Sequence, residues 1–251
     1  MKQEMYAHIH TVETSHWWYV ARRKIIFDWV LQILANYQTP HILDVGCGTG
    51  FNLDYLRDQG YTQVTGLDFS SDALKFCLSR DLSSMIYGDG AVPPLRNESF
   101  DLIMALDFIE HLEYDIAALQ DLARLLKPGG SLVIFVPAFN FLWGLQDEVS
   151  HHYRRYTAGD LRKKLQKTDL TISKLSYANT FLFPAIWAGR QLISLSGNNV
   201  QGTSENDLHP GWSNGILQAI FAAERPLLRF MNLPVGVSLL CVASKPQIVD
   251  N

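Results

Sequence analysis

The stretch His41 to Gly50, HILDVGCGTG, constrains this chain more than any other. An apolar pair, Ile42-Leu43, runs into Asp44, and glycines follow at alternate positions, Gly46, Gly48 and Gly50. This reads as a buried parallel strand ending in a tight loop that opens a helix. Glycine suits such a loop because the backbone takes positive φ there and lets a ligand lie against bare peptide. The helix start then turns its N–H groups and positive dipole end toward that ligand.

Downstream, apolar strands and helical segments alternate. Gln63 to Asp68 is a second strand ending in an acid, and Asp72 to Ser79 a helix capped by Ser70 or Ser71. Ser84 to Tyr87 is a short strand before Gly88-Asp89, and Phe100 to Leu106, FDLIMAL, is a strongly buried one. Ile116 to Leu126 is a helix stopped by Lys127-Pro128-Gly129-Gly130, and Ser131 to Val136 is another strand. This alternation predicts a doubly wound, mainly parallel α/β sheet. Ligands of such sheets bind at the carboxyl ends of the strands, where Asp44, Asp68, Asp89 and Asp107 all fall.

The flanks are less regular. Residues 1–13 are polar and expected to be frayed. A helix is predicted over 14–37, capped by Thr14 or Ser15; its crowded start, with Trp17, Trp18, Arg22 and Arg23, reads either as anchoring aromatics with a solvated basic face or as a cover over the ligand. After a long connection over 138–156, a helix over 158–167 and a strand over 170–177 precede two apolar helical segments, roughly 181–195 and 215–231, around a Gly/Asn/Ser-rich loop at 196–214. A last strand, Val237 to Ala243, completes an antiparallel edge carrying a helical cap over 180–232. The 251 residues form a single domain, with its cofactor-binding core at 40–137.

Composition narrows the function. A net charge of −4 speaks against a dedicated nucleic-acid binder. Three cysteines, Cys47, Cys77 and Cys241, without metal-like or redox-like spacing, fit a reducing, cytoplasmic setting. No apolar run reaches membrane-spanning length. Contact with a membrane surface stays open through the cap helices if Pro184, Trp187 and their apolar faces are exposed rather than core.

Asp68 decides the ligand class. It sits where a ribose diol would reach, and a carboxylate there accepts hydroxyl hydrogen bonds. A pyrophosphate favours G-x-G-x-x-G. The spacing here is G-x-G-x-G with Asp44 two residues ahead. An acid there repels a pyrophosphate and suits an ammonium group, the amino-acid end of S-adenosylmethionine.

LDVGCGTG together with Asp68, Gly88-Asp89 and LLKPGGSLVIFVP resembles the class I S-adenosylmethionine-dependent methyltransferases over residues 40–137. The resemblance implies a Rossmann-like seven-stranded sheet in order 3-2-1-4-5-7-6, with strand 7 antiparallel. It implies that Gly46, Gly48 and Gly50 face the methionine part, Asp68 the ribose, Phe69 the adenine and Asp89 its exocyclic amine. Leu106 and Asp107 would border the sulfonium. Cys47, a small packing residue in the loop, and Gly90, beside Asp89, belong to the same wall. HWWYVARR, DEVSHHYRRYT and LPVGVSLLCVASKP look like a bacterial branch often associated with polysaccharide or glycolipid gene clusters. That likeness carries Trp17 and Arg22 to the cofactor's amino-acid end.

Methyl transfer to a hydroxyl needs alignment, exclusion of water and a proton acceptor. The candidate bases are His111, just past the fourth strand, and His151 or His152 in the connection beyond the fifth. Asp147 and His151 share a face if that piece is helical, as a base with its orienting carboxylate or, with Glu148, as ligands of a divalent metal. The metal reading lacks a complete ligand set, and none is expected. Arg154, Arg155 and Tyr156 read as a clamp for an anionic acceptor or as charges covering apolar surface. The expectation is a methyltransferase that turns S-adenosylmethionine into S-adenosylhomocysteine on a hydroxyl of a small molecule, sugar or glycan precursor. Carbon or nitrogen methylation, or a non-catalytic partner subunit with this fold, are the alternatives; a nicotinamide reductase is disfavoured by the glycine spacing.

Overall fold

The computed structural model describes residues 3–196 and 211–247. Most of the Gly/Asn/Ser-rich loop expected at 196–214 lies outside the described residues. The strands are β1 (Ile42–Val45), β2 (Val64–Asp68), β3 (Met85–Tyr87), β4 (Phe100–Leu106), β5 (Leu126–Pro137), β6 (Thr171–Ala178) and β7 (Ser238–Ser244). They form one seven-stranded sheet in order β3-β2-β1-β4-β5-β7-β6. β7 runs antiparallel to both neighbours, and the pairs from β3 through β5 are parallel. β5 runs through the Lys-Pro-Gly-Gly stretch expected to end the preceding helix, with a register shift against β4 between Phe100 and Leu102.

The helices are α1 (Gln3–Val12), α2 (Trp17–Leu34), α3 (Phe51–Asp58), α4 (Ser71–Ser79), α5 (Asp115–Leu125), α6 (Leu145–Val149), α7 (Ala158–Leu165), α8 (Phe183–Ser196), α9 (Asn214–Ala222) and α10 (Arg225–Phe230). Side chains alternate across the sheet, so β4 feeds two cores. Ile103 and Ala105 join Leu119 and Leu122 of α5 and Leu161 of α7 on one face. Leu102 and Met104 join Ile25 and Val30 of α2, Leu53 of α3, and Phe221 and Leu228 of the cap on the other. Burial on both faces explains why FDLIMAL is apolar except at Asp101, whose carboxylate pairs with Lys127 at 2.7 Å.

Two departures from the sequence reading occur at the N-terminus. Residues 3–12 are helical, with Tyr6, Val12 and Glu13 buried. α2 starts at Trp17, with His16 as its cap: Nδ1 accepts from the Trp18 N–H at 3.3 Å.

The cap is fastened by charge. Asp28 of α2 accepts from Arg225 Nε at 2.7 Å and from Arg229 of α10. Burial pushes the Asp28 carboxyl up, but the bonds from Arg229 and Arg225 prevail and hold it below its ordinary value. Lys174 of β6 donates to the Leu228 and Met231 carbonyls, satisfying the end of α10. No helix among the described residues is long and apolar enough to cross a membrane.

Candidate active site

Gly46, Gly48 and Gly50 take φ of 69°, 54° and 77°. Their roles differ. A Cβ on Gly46 would lie 2.7 Å from the Phe108 ring, and one on Gly50 would lie 2.8 Å from Cys77 Sγ. A Cβ on Gly48 would meet nothing within 4 Å. Gly46 and Gly50 therefore serve close packing, and Gly48 presents bare backbone to open space. Gly90 is likewise a packing glycine, 2.7 Å from the Phe108 ring by the same measure.

Asp68, at the end of β2, accepts from the Gly48 N–H at 2.9 Å and the Ser70 N–H at 2.8 Å. These bonds fix the carboxylate beside the loop and leave it lone pairs for a ligand hydroxyl. Asp44 is buried, and its Oδ2 has no hydrogen-bond partner. Burial pushes its pKa up to about 7, against a hydrogen bond from Asn52 and the charge of Arg22. Such a carboxyl suits a cationic partner. Cys47 is buried, and its contact with Cys77, together with burial, holds the thiol well above its ordinary value, as befits packing. Phe69 is exposed; Asp89 also is, and its Oδ1 accepts from the Ala91 N–H at 2.8 Å. The open cradle at Gly48 and the unpartnered Asp44 oxygen fit the amino-acid end of S-adenosylmethionine.

Apart from Asp44 and Gly50, which do not line it, these groups open into one cavity of about 1780 Å³, also lined by Trp17, Arg22, Leu106 and Asp107. Arg22 Nη2 lies 2.6 Å from Asp107 Oδ2, and the guanidinium sits 5.1 Å from the Trp18 and Phe135 ring centres. Arg22 thus ties α2 to the end of β4, with its buried Nε unpartnered. Trp17 packs edge-on against Phe221 of the cap, and its backbone N–H donates to Asn214 Oδ1 at 2.8 Å. α1 supplies Tyr6, Ile9 and, just after its end, Glu13 to the same cavity.

On the other side, the structure regroups the expected acceptor residues. α6 ends at Val149, and His151 takes φ +56°, so the chain reverses before His152. Asp147 consequently pairs with His152, not His151: His152 Nδ1 lies 2.8 Å from Asp147 Oδ1. Arg155 grips the same carboxylate with two bonds of 2.8 Å each. These bonds outweigh burial and hold the Asp147 pKa down at about 2. His151 is exposed on the cavity wall. The His111 ring stands edge-on to His152 at 4.6 Å, and burial and the nearby His152 lower its pKa to about 4.

The arginine clamp is corrected. Arg155 is buried and committed to Asp147, which also removes Asp147 from the metal set expected with His151 and Glu148. Arg154 donates to the Glu113 carbonyl at 2.8 Å and pairs with Asp115, and the buried Tyr156 hydroxyl donates to Asp115 at 2.7 Å. Neither Arg154 nor Tyr156 lines the cavity. Sequence reasoning missed Glu110, which is fully buried with both carboxylate oxygens unpartnered. Glu110, His111 and His152 bring ligand atoms within 4.8 Å of one another, a donor set for a divalent cation or a shared proton. Burial, then the charge of Asp107, raises the Glu110 pKa well above its ordinary value and favours the protonated acid.

Residues 43–134 match a family described as Methyltransferase domain. The chain is 30% identical over 132 residues to the tRNA (carboxymethyluridine(34)-5-O)-methyltransferase ALKBH8 of Mus musculus, covering 51% of this chain and 18% of that one. It is 36% identical over 104 residues to the ubiquinone biosynthesis O-methyltransferase of Paracidovorax citrulli, covering 39% and 43%. The chain thus spans less than half the length of these curated relatives. Among solved structures it is similar to one described as a sarcosine dimethylglycine methyltransferase of Galdieria sulphuraria, with TM-score 0.60, 15% identity and coverage of 90% and 85%. It is also similar to the [4+2]-cyclase SpnF, with TM-score 0.55, 21% identity and coverage of 88% and 79%. Fold likeness at this identity does not carry an activity. The match to the Methyltransferase domain family over residues 43–134, the strand order and the glycine loop with Asp68 all agree with the resemblance of this core to the class I S-adenosylmethionine-dependent methyltransferases.

Proposed function

We propose that the chain methylates a hydroxyl of a small molecule, sugar or glycan precursor, with His152 as general base. The observation that carries this reading is the Asp147–His152 pair on the wall of the cofactor cavity. When bound, S-adenosylmethionine supplies an electrophilic methyl carbon on a sulfonium. His152, held through Nδ1, keeps Nε2 for the acceptor's proton. Asp147 orients the ring, and Arg155 keeps Asp147 ionised. Trp17, Leu106 and Trp143 give the cavity apolar walls that limit water.

A small acceptor also suits the electrostatics. The cavity lining carries Glu13, Asp68, Asp89, Asp107 and Glu148 beside Arg22, Arg23, Arg155 and Arg190, and the chain's net charge is −4, a poor setting for a polyanion. The test is turnover by single variants. His152→Ala is expected to lower kcat about 10²- to 10⁴-fold with S-adenosylhomocysteine affinity unchanged. His111→Ala and His151→Ala are expected to keep most activity. A fully active His152→Ala variant overturns the assignment.

A further inference from the structure

The cavity holds a polar side chain that the reaction above does not use. Asn179 directly follows β6. β6 and β5 both run antiparallel to β7, so β6 ends at the same sheet edge as β1, β2 and β4. That edge carries Asp44, Asp68 and Asp107. Asn179 lines the cavity, is fully buried, and has no hydrogen-bond partner at either Oδ1 or Nδ2. A buried carboxamide with neither end satisfied is uncommon and costly.

Its backbone is held from behind the cavity wall. Asn179 takes φ +60°, a conformation asparagine tolerates better than most residues. Glu224, fully buried where α9 meets α10, accepts from the Phe181 N–H at 2.7 Å, two residues past Asn179. Gly236 allows the chain entering β7 to press on this turn, since a Cβ there would lie 2.3 Å from the Ala178 carbonyl oxygen. Ser238, paired in register with Ala178, lines the wall next to Asn179. Ile186 of α8 and Leu217 of α9 give the same cavity apolar surface.

We propose that Asn179 binds a neutral hydroxyl of the acceptor, distinct from the one methylated, by donating from Nδ2 and accepting at Oδ1. Glu224 acts as its positioning residue. The inference rests on the hydroxyl-methylating reading above and adds that the acceptor carries at least two hydroxyls. A carboxamide matches a hydroxyl because each both gives and takes a hydrogen bond without charge. A carboxylate or phosphate would use only the donor.

The test uses methyl β-D-glucopyranoside as the probe, followed by ligand-observed NMR on protein saturated with S-adenosylhomocysteine. The wild type binds the probe. Asn179→Gly, which tolerates the positive φ, and Asn179→Asp, which lacks the donor, both weaken it about tenfold or more. Both keep wild-type S-adenosylhomocysteine affinity by calorimetry. Glu224→Ala loses probe binding, and Glu224→Gln, which can still accept from the Phe181 N–H, restores it. Equal probe binding by wild type and Asn179→Gly, or none by wild type, overturns the proposal. Failure of S-adenosylhomocysteine to bind overturns instead the methyltransferase reading beneath it.

Discussion

Glu13 Oε2 accepts from Thr49 Oγ1 at 2.6 Å, joining the end of the N-terminal helix to the glycine loop. The other oxygen accepts from Arg80 Nη2 at 2.6 Å, and Arg80 Nε donates to the Thr49 carbonyl at 3.0 Å. One buried carboxylate thus ties α1, the loop and the end of α4 together. His10 of α1 adds a stack on Phe76 of α4, at 4.7 Å between ring centres. α1 is therefore a cover over the cofactor side of the cavity.

Removing Glu13 should release that cover. Glu13→Ala is expected to speed hydrogen exchange over residues 3–12 and to weaken S-adenosylhomocysteine binding about tenfold, since breaking a buried pair costs about 3 to 5 kcal/mol locally. Unchanged exchange in α1 would contradict this role.

The three loop glycines should separate by phenotype. Gly48→Ala adds a methyl into open space at φ 54°, so the fold loses about 1 to 2 kcal/mol from backbone strain. That methyl occupies ligand space, and S-adenosylhomocysteine binding should fall by more than the stability does. Gly50→Ala also forces a Cβ to 3.3 Å from the Cys77 backbone, besides its contacts with Cys77 Sγ and Leu82. It is expected to lower Tm well below that of Gly48→Ala. Equal melting temperatures would contradict the division.

Asp44 makes cofactor binding pH-dependent. Its folded pKa is raised to about 7, so the folded state holds this proton more tightly than the unfolded chain. The stability this contributes is complete below the ordinary carboxylate range and lost as pH rises through 7. Pairing with an ammonium group needs the ionised form, so affinity moves the opposite way. S-adenosylhomocysteine should bind about tenfold more tightly at pH 8 than at pH 6. Asp44→Asn should flatten that profile, weaken binding and raise the Tm of the free protein at pH 8. A flat wild-type profile across this range would count against Asp44 as the ammonium partner.

The strands themselves were legible because their signals are local, whereas their order rested on the family resemblance. FDLIMAL is apolar at every position but Asp101, and β1 to β4 each end in or run into an acid or glycine that marks the ligand edge. α1 was not legible, because a helix that covers a cavity needs few apolar residues: Tyr6, Val12 and the paired Glu13 suffice. The Asp147 partner was misassigned because helical spacing was carried past Val149, whereas the positive φ at His151 turns His152 inward. Arg155 looked like a ligand clamp because sequence does not reveal that a carboxylate eight residues earlier already holds its guanidinium. Long-range pairings of this kind, including Glu224 with the turn at Asn179, depend on the assembled fold.

The most direct test of the account is calorimetric titration of the purified chain with S-adenosylhomocysteine, beside Asp68→Ala and a titration with NAD. The account predicts one site in the wild type, affinity at least about tenfold weaker in Asp68→Ala from loss of charged hydrogen bonds, and no heat with NAD. Equal affinity in Asp68→Ala, or binding of NAD in place of S-adenosylhomocysteine, would contradict it.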